Sequence, residues 1–545
     1  MTELIWDGKY DKDGKRVAPV RIALPFQTVE TVNESGAQRA NQLGLWAHGD
    51  SGEWRNRLIW GDKKYVLPSL LPEFAGKVNL IYIDPPFATG DDFTFTTSIP
   101  DSDDLLTKPP SMIEQKAYRD TWGRGLDSYI EWFCETVELM RDCLTDDGTL
   151  YVHLDWHVAH YAKAVLDEVF GSECFLNEVV WVRSAPRSNV KLGMPAGHDT
   201  ILIYTRSETP TWNRPMVDLR AEYVESHYTQ EEPGTGRVYM LDNMVNPNPD
   251  RPNLRYEWNG VTRVWKVTRE NMQALHEQGR LMYTSQGVAR YKRYLDESKG
   301  TPLTTVWQDI PPVNSQAMER VNYRTQKPEA LLQRIIETSS NEGDLVLDCF
   351  CGSGTTAAVA EKLGRRWITC DLGRFAIHTA RKRLLSIPGV KPFVVQNLGK
   401  YERQAWQSAE FAQGDATAEP QKQLAYRGFM LDLYGAQPIE GGAWLHGVRD
   451  GRLIHVGGVD APISEGDVRA IVKSFWQTSG QAGVNGVDIL GWDFAFELNE
   501  VARQHAADNN VNLKFKRIPR EVLEKRAVEQ GDIKFFELGA LSVQP

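Results

Sequence analysis

Apolar and polar positions alternate along this chain in blocks typical of strands and helices. Short runs that are apolar almost throughout, such as residues 56–60 (NRLIW) and 78–83 (VNLIYI), predict strands buried on both faces and therefore a parallel sheet. Residues 126–144 repeat apolar side chains every three or four positions, which predicts a helix. Further strands and helices are predicted at 148–155, 157–171, 177–183 and 200–206. The order indicates an α/β protein with a doubly wound sheet.

The alternation is interrupted and later resumes. Between residues 208 and 315 the chain carries Pro, Asn, Arg, Tyr and Trp in short irregular runs, and strand-helix alternation returns from residue 325. A polar stretch around 400–425 separates a last block with its own strands and helices, including a helix predicted within 497–510. The predicted segments are an N-terminal arm (1–45), the first half of the main domain (46–207), an insertion (208–315), the second half (316–400) and a smaller C-terminal α/β domain (425–545).

Composition narrows the class of protein only a little. The chain has 545 residues and a formal net charge of −11, which averages over domains and neither supports nor excludes a nucleic-acid partner. No apolar run approaches the roughly 18 residues that cross a bilayer, and the first residues lack the apolar core of a secretory signal. Six scattered cysteines, with CFC at 349–351 but no second pair, form no metal-binding pattern. We expect a cytoplasmic protein without membrane spans or a metal site.

A glycine-rich loop lies between a predicted strand and a predicted helix. Gly352, Gly354 and Ala357 fit the pattern G-x-G-x-x-G/A, and Asp371 follows at the end of the next strand. Glycines let a ligand approach the backbone, and the helix N-terminus offers free amide groups. An acid at the next strand end suits ribose hydroxyls. The pattern indicates an adenosine-containing ligand, without separating NAD from others, and a plain turn is the simpler alternative.

The segment DPPF ends another predicted strand. Asp84 should lie at the carboxyl edge of the sheet, Pro85 and Pro86 fix the turn and offer carbonyls without N–H groups, and Phe87 offers a flat apolar face. This set suits a planar base with an exocyclic amine. Hydrogen bonds from that amine to Asp84 and to the Pro85 carbonyl would favour a tetrahedral nitrogen with a free lone pair, able to attack a methyl group. Taken alone, DPPF is also compatible with a plain strand-ending turn.

Three segments together carry a family resemblance. DPPFATG (84–90), YRTQKPEALLQRII (323–336) and DCFCGSGTT (348–356) resemble the amino-group DNA methyltransferases that use S-adenosylmethionine, in the permuted order that places the catalytic motif before the cofactor motif. The similarity is greatest to the Mod subunits of type III restriction-modification systems. It implies a Rossmann-like methyltransferase sheet in which the insertion is a target-recognition subdomain.

The resemblance also implies roles for single residues. Asp84, Pro85, Pro86 and Phe87 would form the catalytic motif, and Asp155 and His157 would shape the base pocket. The residues implied at the cofactor are Asp62, Thr325, Gln326, Lys327, Asp348, Phe350, Gly352, Gly354 and Asp371. The chain departs from the family pattern twice, with Phe87 in place of the usual tyrosine and Cys349 in place of the usual proline.

The same resemblance suggests a substrate and partners. An Asp at the first catalytic position accompanies adenine N6 more often than cytosine N4, so we expect methylation of a flipped adenine in double-stranded DNA. Basic residues among aromatics in the insertion are candidate DNA contacts, although a mixed solvated surface is an alternative: Arg251, Arg255, Arg263, Lys266, Lys292 and Arg293. We expect a homodimer and a helicase-nuclease restriction subunit as partner, and the C-terminal domain would serve either self-association or the docking of that subunit.

Other functions are weighed against this one. A nicotinamide or flavin oxidoreductase would explain the glycine loop but not DPPF. N4-cytosine methylation would keep the fold and the mechanism. A catalytically silent DNA-binding or assembly subunit would not require an intact Asp84, and methyltransferases acting on RNA or protein amides generally place the cofactor motif first.

Overall fold

A computed structural model describes residues 3–33, 54–86, 95–98, 105–108, 126–183, 194–314, 316–321, 323, 325–411, 419–439, 443–478, 485–495, 509–523, 533 and 535–537. Contacts divide the chain into two compact units, of which unit 1 comprises Met1–Trp212 with Val306–Pro545 and unit 2 comprises Asn213–Thr305. Unit 2 lies within the segment predicted as an insertion. The finer division into five segments stays a prediction.

The first part of unit 1 supplies eight of the described strands and three of the described helices. The strands are β1 (Gln27–Val32), β2 (Asn56–Trp60), β3 (Val78–Ile83), β4 (Phe95–Ser98), β5 (Leu105–Lys108), β6 (Leu144–Leu154), β7 (Phe175–Val182) and β8 (His198–Thr205). The helices are α1 (Lys63–Phe74), α2 (Leu126–Cys143) and α3 (Ala159–Phe170). Helix α2 buries Tyr129, Phe133 and Val137, as its apolar spacing predicts. Helix α3 ends at Gly171, which adopts φ 93°.

Unit 2 is built from short antiparallel strands and two helices within its described residues. The elements are β9 (Met216–Val217), α4 (Ala221–His227), β10 (Gln230–Glu231), β11 (Val238–Asn243), β12 (Arg255–Trp258), β13 (Val261–Val264), α5 (Arg269–Glu277), β14 (Leu281–Tyr283), β15 (Ala289–Tyr294) and β16 (Thr301–Pro302). Its core is small and centres on Trp265, which is fully buried and donates from its indole nitrogen to the carbonyl oxygen of Tyr256 at 2.9 Å. The aromatic residues of this segment therefore give it a core of its own.

The second part of unit 1 completes the main sheet and adds a smaller one. The first group of elements is β17 (Val306–Trp307), α6 (Glu329–Ser339), β18 (Leu345–Asp348), α7 (Thr355–Lys362), β19 (Arg366–Asp371), α8 (Arg374–Leu385) and β20 (Phe393–Asn397). The second is α9 (Gly399–Phe411), α10 (Glu419–Tyr434), β21 (Gln437–Pro438), β22 (Gly447–Arg449), β23 (Arg452–Val456), α11 (Glu465–Thr478), β24 (Val487–Gly491), β25 (Leu513–Arg517) and β26 (Phe536–Glu537).

Ten of the described strands form one sheet, in the order β1-β20-β2-β19-β18-β3-β6-β8-β7-β17. Strands β20, β2, β19, β18, β3 and β6 run parallel, so their carboxyl ends meet at one edge. The chain moves outward in opposite directions from the neighbours β18 and β3, which creates the crevice where α/β sheets bind ligands. The predicted doubly wound, Rossmann-like fold class is confirmed.

Three local features differ from the sequence-based expectations. Strand β1, inside the predicted N-terminal arm, pairs antiparallel with β20 and extends the sheet. Strand β8 runs antiparallel to both β6 and β7, so the sheet is mixed. The polar stretch around 400–425 contains most of α9 and the beginning of α10, because Trp406 anchors α9 in the same apolar core as Met430. The helix predicted within 497–510 lies almost wholly outside the described residues.

The smaller sheet has the order β21-β22-β23-β24-β25-β26. Its three middle strands, β23, β24 and β25, are parallel, and two apolar clusters pack against them. This arrangement agrees with the α/β pattern of the last block of sequence.

Candidate active site at the carboxyl edge of the sheet

Acidic residues follow or close five parallel strands of the main sheet. Asp348 closes β18, Asp371 closes β19, Asp84 and Asp155 directly follow β3 and β6, and Asp62 lies two residues after β2. Strands β18 and β3 are direct neighbours, with Leu347 opposite Ile81. The glycine loop and the DPPF segment, which are more than 250 residues apart in sequence, therefore begin side by side.

The carboxylate of Asp84 has two unequal oxygens. Its Oδ2 accepts a hydrogen bond from the Lys327 ammonium group, in an ion pair whose side chains are 17% and 13% exposed. Its Oδ1 is buried and has no hydrogen-bond partner among the described residues. Pro85 is buried and Pro86 is half-buried, whereas Phe87 lies outside the described residues. Because a buried acceptor without a donor is costly, the free Oδ1 indicates a place for a donor that arrives with a ligand.

Lys327 connects the two motifs. Its ammonium group contacts Asp84, and its backbone carbonyl accepts a hydrogen bond of 3.2 Å from Thr355 Oγ1 at the start of α7. The preceding Gln326 fixes the local loop, since its amide nitrogen donates to the carbonyl oxygen of Glu319 at 2.7 Å and its oxygen accepts from the Val321 N–H at 2.9 Å. Thr325 is half-buried in the same segment. The TQKP segment thus holds the start of α7 and the DPPF segment together.

The glycine loop needs its glycines for two different reasons. Gly354 has φ 74° and lies so close to α8 that an added Cβ would be 2.7 Å from the Cβ of Ala380. Gly352 has φ 47°, and an added Cβ would lie 3.3 Å from the ring of Tyr323. Gly354 is also the residue that precedes α7, and no side chain caps that helix. The loop therefore leaves backbone amides at the start of α7 open to a ligand.

Both oxygens of the two acids beside this loop accept a hydrogen bond from the protein. Asp371 accepts from the Gly352 N–H at 2.9 Å and from the Gly373 N–H at 2.7 Å. Asp348 accepts from the Phe350 N–H at 2.9 Å and from Thr356 Oγ1 at 2.6 Å. Burial raises the pKa of Asp348 to about 7, although both of these hydrogen bonds lower it. Both acids shape the loop through its backbone.

The acid after β2 lies near the same loop. Asp62 precedes α1 and accepts from the Lys64 N–H at 2.8 Å. The Gly61 N–H donates to the carbonyl oxygen of Asp371 at 3.0 Å, and the Trp60 indole nitrogen donates to the carbonyl oxygen of Leu372 at 3.1 Å. These bonds join the ends of β2 and β19, so the structure brings Asp62 and Asp371 to one corner of the sheet edge.

Aromatic residues that the sequence analysis did not single out lie around the loop. Tyr323 stacks on Phe375 with ring centroids 5.9 Å apart, and Trp132 lies against Phe350 at 5.5 Å. Phe375 comes four residues after Asp371, a position that could have drawn attention to it. Tyr323 opens the segment YRTQKPEALLQRII and Trp132 lies on α2, so only the fold shows that both rings lie near the glycine loop.

A buried chain of polar side chains links the strand that precedes DPPF to its neighbours. The Tyr82 hydroxyl lies 2.9 Å from His153 Nδ1, and His153 Nε2 lies 3.2 Å from Asp199 Oδ2. The three residues belong to the neighbouring strands β3, β6 and β8 and are almost fully buried. Because Tyr82 is two residues before Asp84, this polar chain fixes the strand end that carries the Asp84 carboxylate.

Ion pairs divide the predicted DNA contacts of unit 2 into two groups. Lys292 pairs with Glu232 at 2.8 Å, while Arg293 and Lys266 both face Asp242, at 2.6 and 3.6 Å. In contrast, Arg251, Arg255 and Arg263 are exposed and form no ion pair with a described residue. The second group keeps its full charge available for a partner.

Neither a metal-binding cluster nor a membrane-spanning helix is found among the described residues. No group of three or more His, Cys, Asp or Glu side chains there is arranged to hold a metal ion. No helix in the described ranges is long and apolar enough to cross a membrane.

The sequence matches a family of known proteins. The family model described as DNA methylase matches residues 78–382, which is more than half of the chain, and the chain belongs to this family. It is a DNA methyltransferase, and its cofactor is S-adenosylmethionine, the methyl donor of the family. The predicted methyltransferase resemblance is thereby confirmed.

Individual relatives match more than half of the chain. It is 32% identical to the type II methyltransferase M.EcaI of Enterobacter cloacae, over 60% of this chain and 69% of the relative. It is 27% identical to the type III restriction-modification enzyme StyLTI Mod subunit of Salmonella typhimurium, over 58% of this chain but only 52% of the relative. The chain thus spans about half the length of that Mod subunit.

A solved structure of a DNA modification methylase from Thermus thermophilus, in complex with S-adenosylmethionine, covers 63% of this chain and 97% of its own at 14% identity, with a TM-score of 0.32. A similarity of that size supports no conclusion about the site.

Proposed function

We propose that this enzyme methylates the exocyclic N6 of adenine in double-stranded DNA. The observation that carries the proposal is the carboxylate of Asp84, whose Oδ2 is held by Lys327 while its buried Oδ1 has no donor among the described residues. An exocyclic amine supplies the missing donor. The proposed site lies where two neighbouring parallel strands end, with the open glycine loop on one strand and DPPF on the other.

The residues around the loop suit S-adenosylmethionine. Gly352 and Gly354 lie so close to neighbouring side chains that a residue with a Cβ atom would not fit easily at either position. The backbone amide groups at the start of α7 are open. We assign Asp371 to the ribose hydroxyls, Asp62 to the adenine, and Asp348 and Phe350 to the methionine end, with Thr325 and Gln326 packed beside it. When bound, the cofactor supplies an electrophilic methyl group.

The catalytic motif prepares the amine. Asp84 Oδ1 and the Pro85 carbonyl accept the two N–H bonds of the amino group, which draws its nitrogen toward tetrahedral geometry and localises the lone pair. The ammonium group of Lys327 donates to Asp84 Oδ2, which leaves Oδ1 as the acceptor for the amine. Phe87, outside the described residues, is assigned to stacking on the base. The proton that the methylated nitrogen loses goes to water or to Asp84.

The choice of base rests on the first residue of the motif. An Asp at this position favours adenine, and the names of the Mod subunit relatives place them in type III restriction-modification systems. Methylation of cytosine N4 would use the same fold and the same acceptors, and it is the second candidate because the family model that matches this chain covers both N6 and N4 chemistry.

Target recognition is assigned to unit 2. The acceptor atom of a paired base is unreachable inside a duplex, so the base must be flipped out. Because an ion-paired cation has already lost much of its attraction for phosphate, we expect the free Arg251, Arg255 and Arg263 to contribute more to DNA binding than Lys266, Lys292 and Arg293.

A paired substitution tests this division. Replacing Arg255 and Arg263 together by Ala should weaken DNA binding by about tenfold at moderate salt and reduce the dependence of log Kd on log salt by roughly two. The matched control is Lys292→Ala with Arg293→Ala, for which we expect a smaller change in both quantities. Fluorescence anisotropy at several salt concentrations measures them, and an equal effect of the two double variants would contradict the division.

The biological setting follows from the relatives. We propose that the enzyme acts in the cytoplasm as the modification component of a restriction-modification or related defence system, as a homodimer. Its C-terminal α/β domain, which carries none of the proposed active-site residues, would dock a helicase-nuclease restriction subunit.

The test is transfer of labelled methyl groups from S-adenosylmethionine to bacterial DNA that lacks its own methylation, followed by nucleoside analysis. N6-methyladenine is the expected product. N4-methylcytosine would overturn the base assignment, and absence of methyl transfer by a protein that binds the cofactor would overturn the proposal of an autonomous enzyme.

A further inference from the structure

An exposed aromatic pair lies at the same edge of the sheet as the proposed catalytic carboxylate. Strand β6 runs parallel to β3 with Val152 opposite Ile83, the last residue of β3, and continues for two more residues at that edge. Asp84 follows β3, and Trp156 and His157 follow β6 after Asp155. The pair therefore lies on the strand next to DPPF, on the side away from the glycine loop.

The pair has a fixed geometry. The rings of Trp156 and His157 are stacked, with centroids 3.7 Å apart and an angle of 27° between the planes. His157 is held by Asp155, which is 4% exposed and accepts from its backbone N–H at 3.0 Å while its Oδ2 lies 2.6 Å from Nδ1 of the imidazole. The buried carboxylate thus orients the imidazole, and the imidazole supports one face of the indole.

The indole itself is left open to solvent. Trp156 is 57% exposed and is the most exposed tryptophan among the described residues. Among the described residues, His157 supplies the one ring that stacks on Trp156. Packing within the described chain therefore does not explain why a large apolar ring is exposed at this edge. A flat surface of this kind, already held in place, favours a planar π-system as partner because little conformational entropy is lost on stacking.

We propose that the Trp156–His157 pair is a stacking surface for the extruded target base of the DNA. The proposal rests on the proposed function, since it needs a base that has left the duplex to reach Asp84. It assigns to Trp156 a role in binding the base, to His157 a supporting role, and to Asp155 the positioning of His157. The sequence analysis connected Asp155 and His157 with the base pocket only through the family resemblance and did not consider Trp156.

The experiment uses the full-length enzyme with Trp156→Ala, Trp156→Phe and a matched control. Trp476→Ala is that control, because Trp476 is 55% exposed and lies on α11 in the smaller C-terminal sheet region. Duplexes carry a site that the wild-type enzyme methylates, identified by sequencing its product, with either the target base or an abasic residue at the target position. Measured quantities are Kd for each duplex, KM for DNA, kcat, and Kd for S-adenosylhomocysteine.

Trp156→Ala should raise Kd and KM for the intact site by about tenfold, the loss expected for one base-aromatic stack. Kd for S-adenosylhomocysteine should stay unchanged, Trp156→Phe should recover most of the loss, and Trp476→Ala should behave as wild type. On the abasic duplex, wild type and Trp156→Ala should bind equally, because the stacking partner is absent.

Two results would overturn the proposal. Unchanged binding of the intact site by Trp156→Ala would show that the indole stays free, and an equal loss on intact and abasic duplexes would show that it contacts something other than the target base. Failure of the wild-type enzyme to methylate DNA would instead count against the proposed function, so the two outcomes are distinguishable.

Discussion

Two kinds of carboxylate lie at the same edge of the main sheet. Asp371 and Asp348, beside the glycine loop, each accept two hydrogen bonds, mostly from backbone N–H groups. Asp84, on the neighbouring strand, has one oxygen paired with the Lys327 ammonium group and one buried oxygen without a donor among the described residues. In the first kind each oxygen already accepts a hydrogen bond from the protein, and in the second kind one oxygen accepts none from the described residues.

The difference indicates a division of labour. A carboxylate whose oxygens both accept hydrogen bonds from the protein orders the loop that supplies the donors. Its removal should therefore weaken ligand binding and lower the stability of the fold. A carboxylate with a buried oxygen that lacks a donor can accept a hydrogen bond from the substrate. Its removal should therefore lower the rate of the chemical step, kcat. Substitutions that separate binding from rate test the comparison directly.

Asp84→Ala gives the largest expected effect. Loss of the acceptor for the amine should lower kcat for methyl transfer by about 10³-fold or more, because both the charge and the hydrogen bond act on the reacting nitrogen. Calorimetric binding of S-adenosylhomocysteine should change little. Asp84→Asn, which keeps the shape but not the charge, is the control and should lose most of the same activity. Weakened cofactor binding in both variants would place Asp84 with the other kind of carboxylate.

Asp371→Ala should act on binding. The N–H groups of Gly352 and Gly373 lose a charged acceptor, so we expect Kd for S-adenosylhomocysteine to rise about tenfold to a hundredfold. The amide of Asp371→Asn can accept only one of the two hydrogen bonds, so its Kd should lie between those of Asp371→Ala and the wild type. A fall in kcat at saturating cofactor as large as that of Asp84→Ala would contradict the distinction between the two kinds of carboxylate.

Lys327→Met sharpens the comparison, because the family resemblance places Lys327 at the cofactor whereas its ammonium group contacts Asp84. Leaving the half-buried Asp84 carboxylate without its cation should reduce kcat by roughly tenfold to thirtyfold with little change in cofactor affinity. Lys327→Arg should restore much of the rate. A selective loss of S-adenosylhomocysteine binding in Lys327→Met would support the role implied by the resemblance instead.

Asp348→Asn should give the smallest and most pH-dependent effect. The pKa of Asp348 is raised from 3.8 to about 7 in the folded protein, so between these values the native state binds the extra proton. The stability associated with this group is fully present below about pH 4 and is lost as the pH rises through 7. Because Asn does not ionise, the difference in Tm between variant and wild type should move in favour of the variant from pH 5 to pH 7.5. Parallel curves in thermal melts across that range would contradict the raised pKa.

Several elements of the site were predictable from sequence because they depend on local chemistry. Gly352 and Gly354 occupy positions with positive φ, and Asp371 and Asp84 end strands whose apolar runs are continuous in the sequence. The contribution of β1 to the sheet was not predictable, since its partner β20 follows more than 350 residues later and its side chains alternate without a long apolar run. Similarly, nothing local to Lys327 indicates that its ammonium group meets Asp84.

The sequence by itself determined the class of fold, the two motifs and the methyltransferase chemistry, because apolar periodicity, strand-ending acids and glycines with special backbone geometry are recorded residue by residue. The tertiary structure decided that both oxygens of Asp371 and Asp348 accept hydrogen bonds from the protein, whereas one oxygen of Asp84 has no donor among the described residues. It also decided which of the candidate DNA-binding cations of unit 2 form ion pairs, and where the rings of Tyr323 and Trp156 lie. Those properties depend on side chains from distant segments that meet only when parallel strands are placed side by side, and sequence spacing carries no record of such meetings.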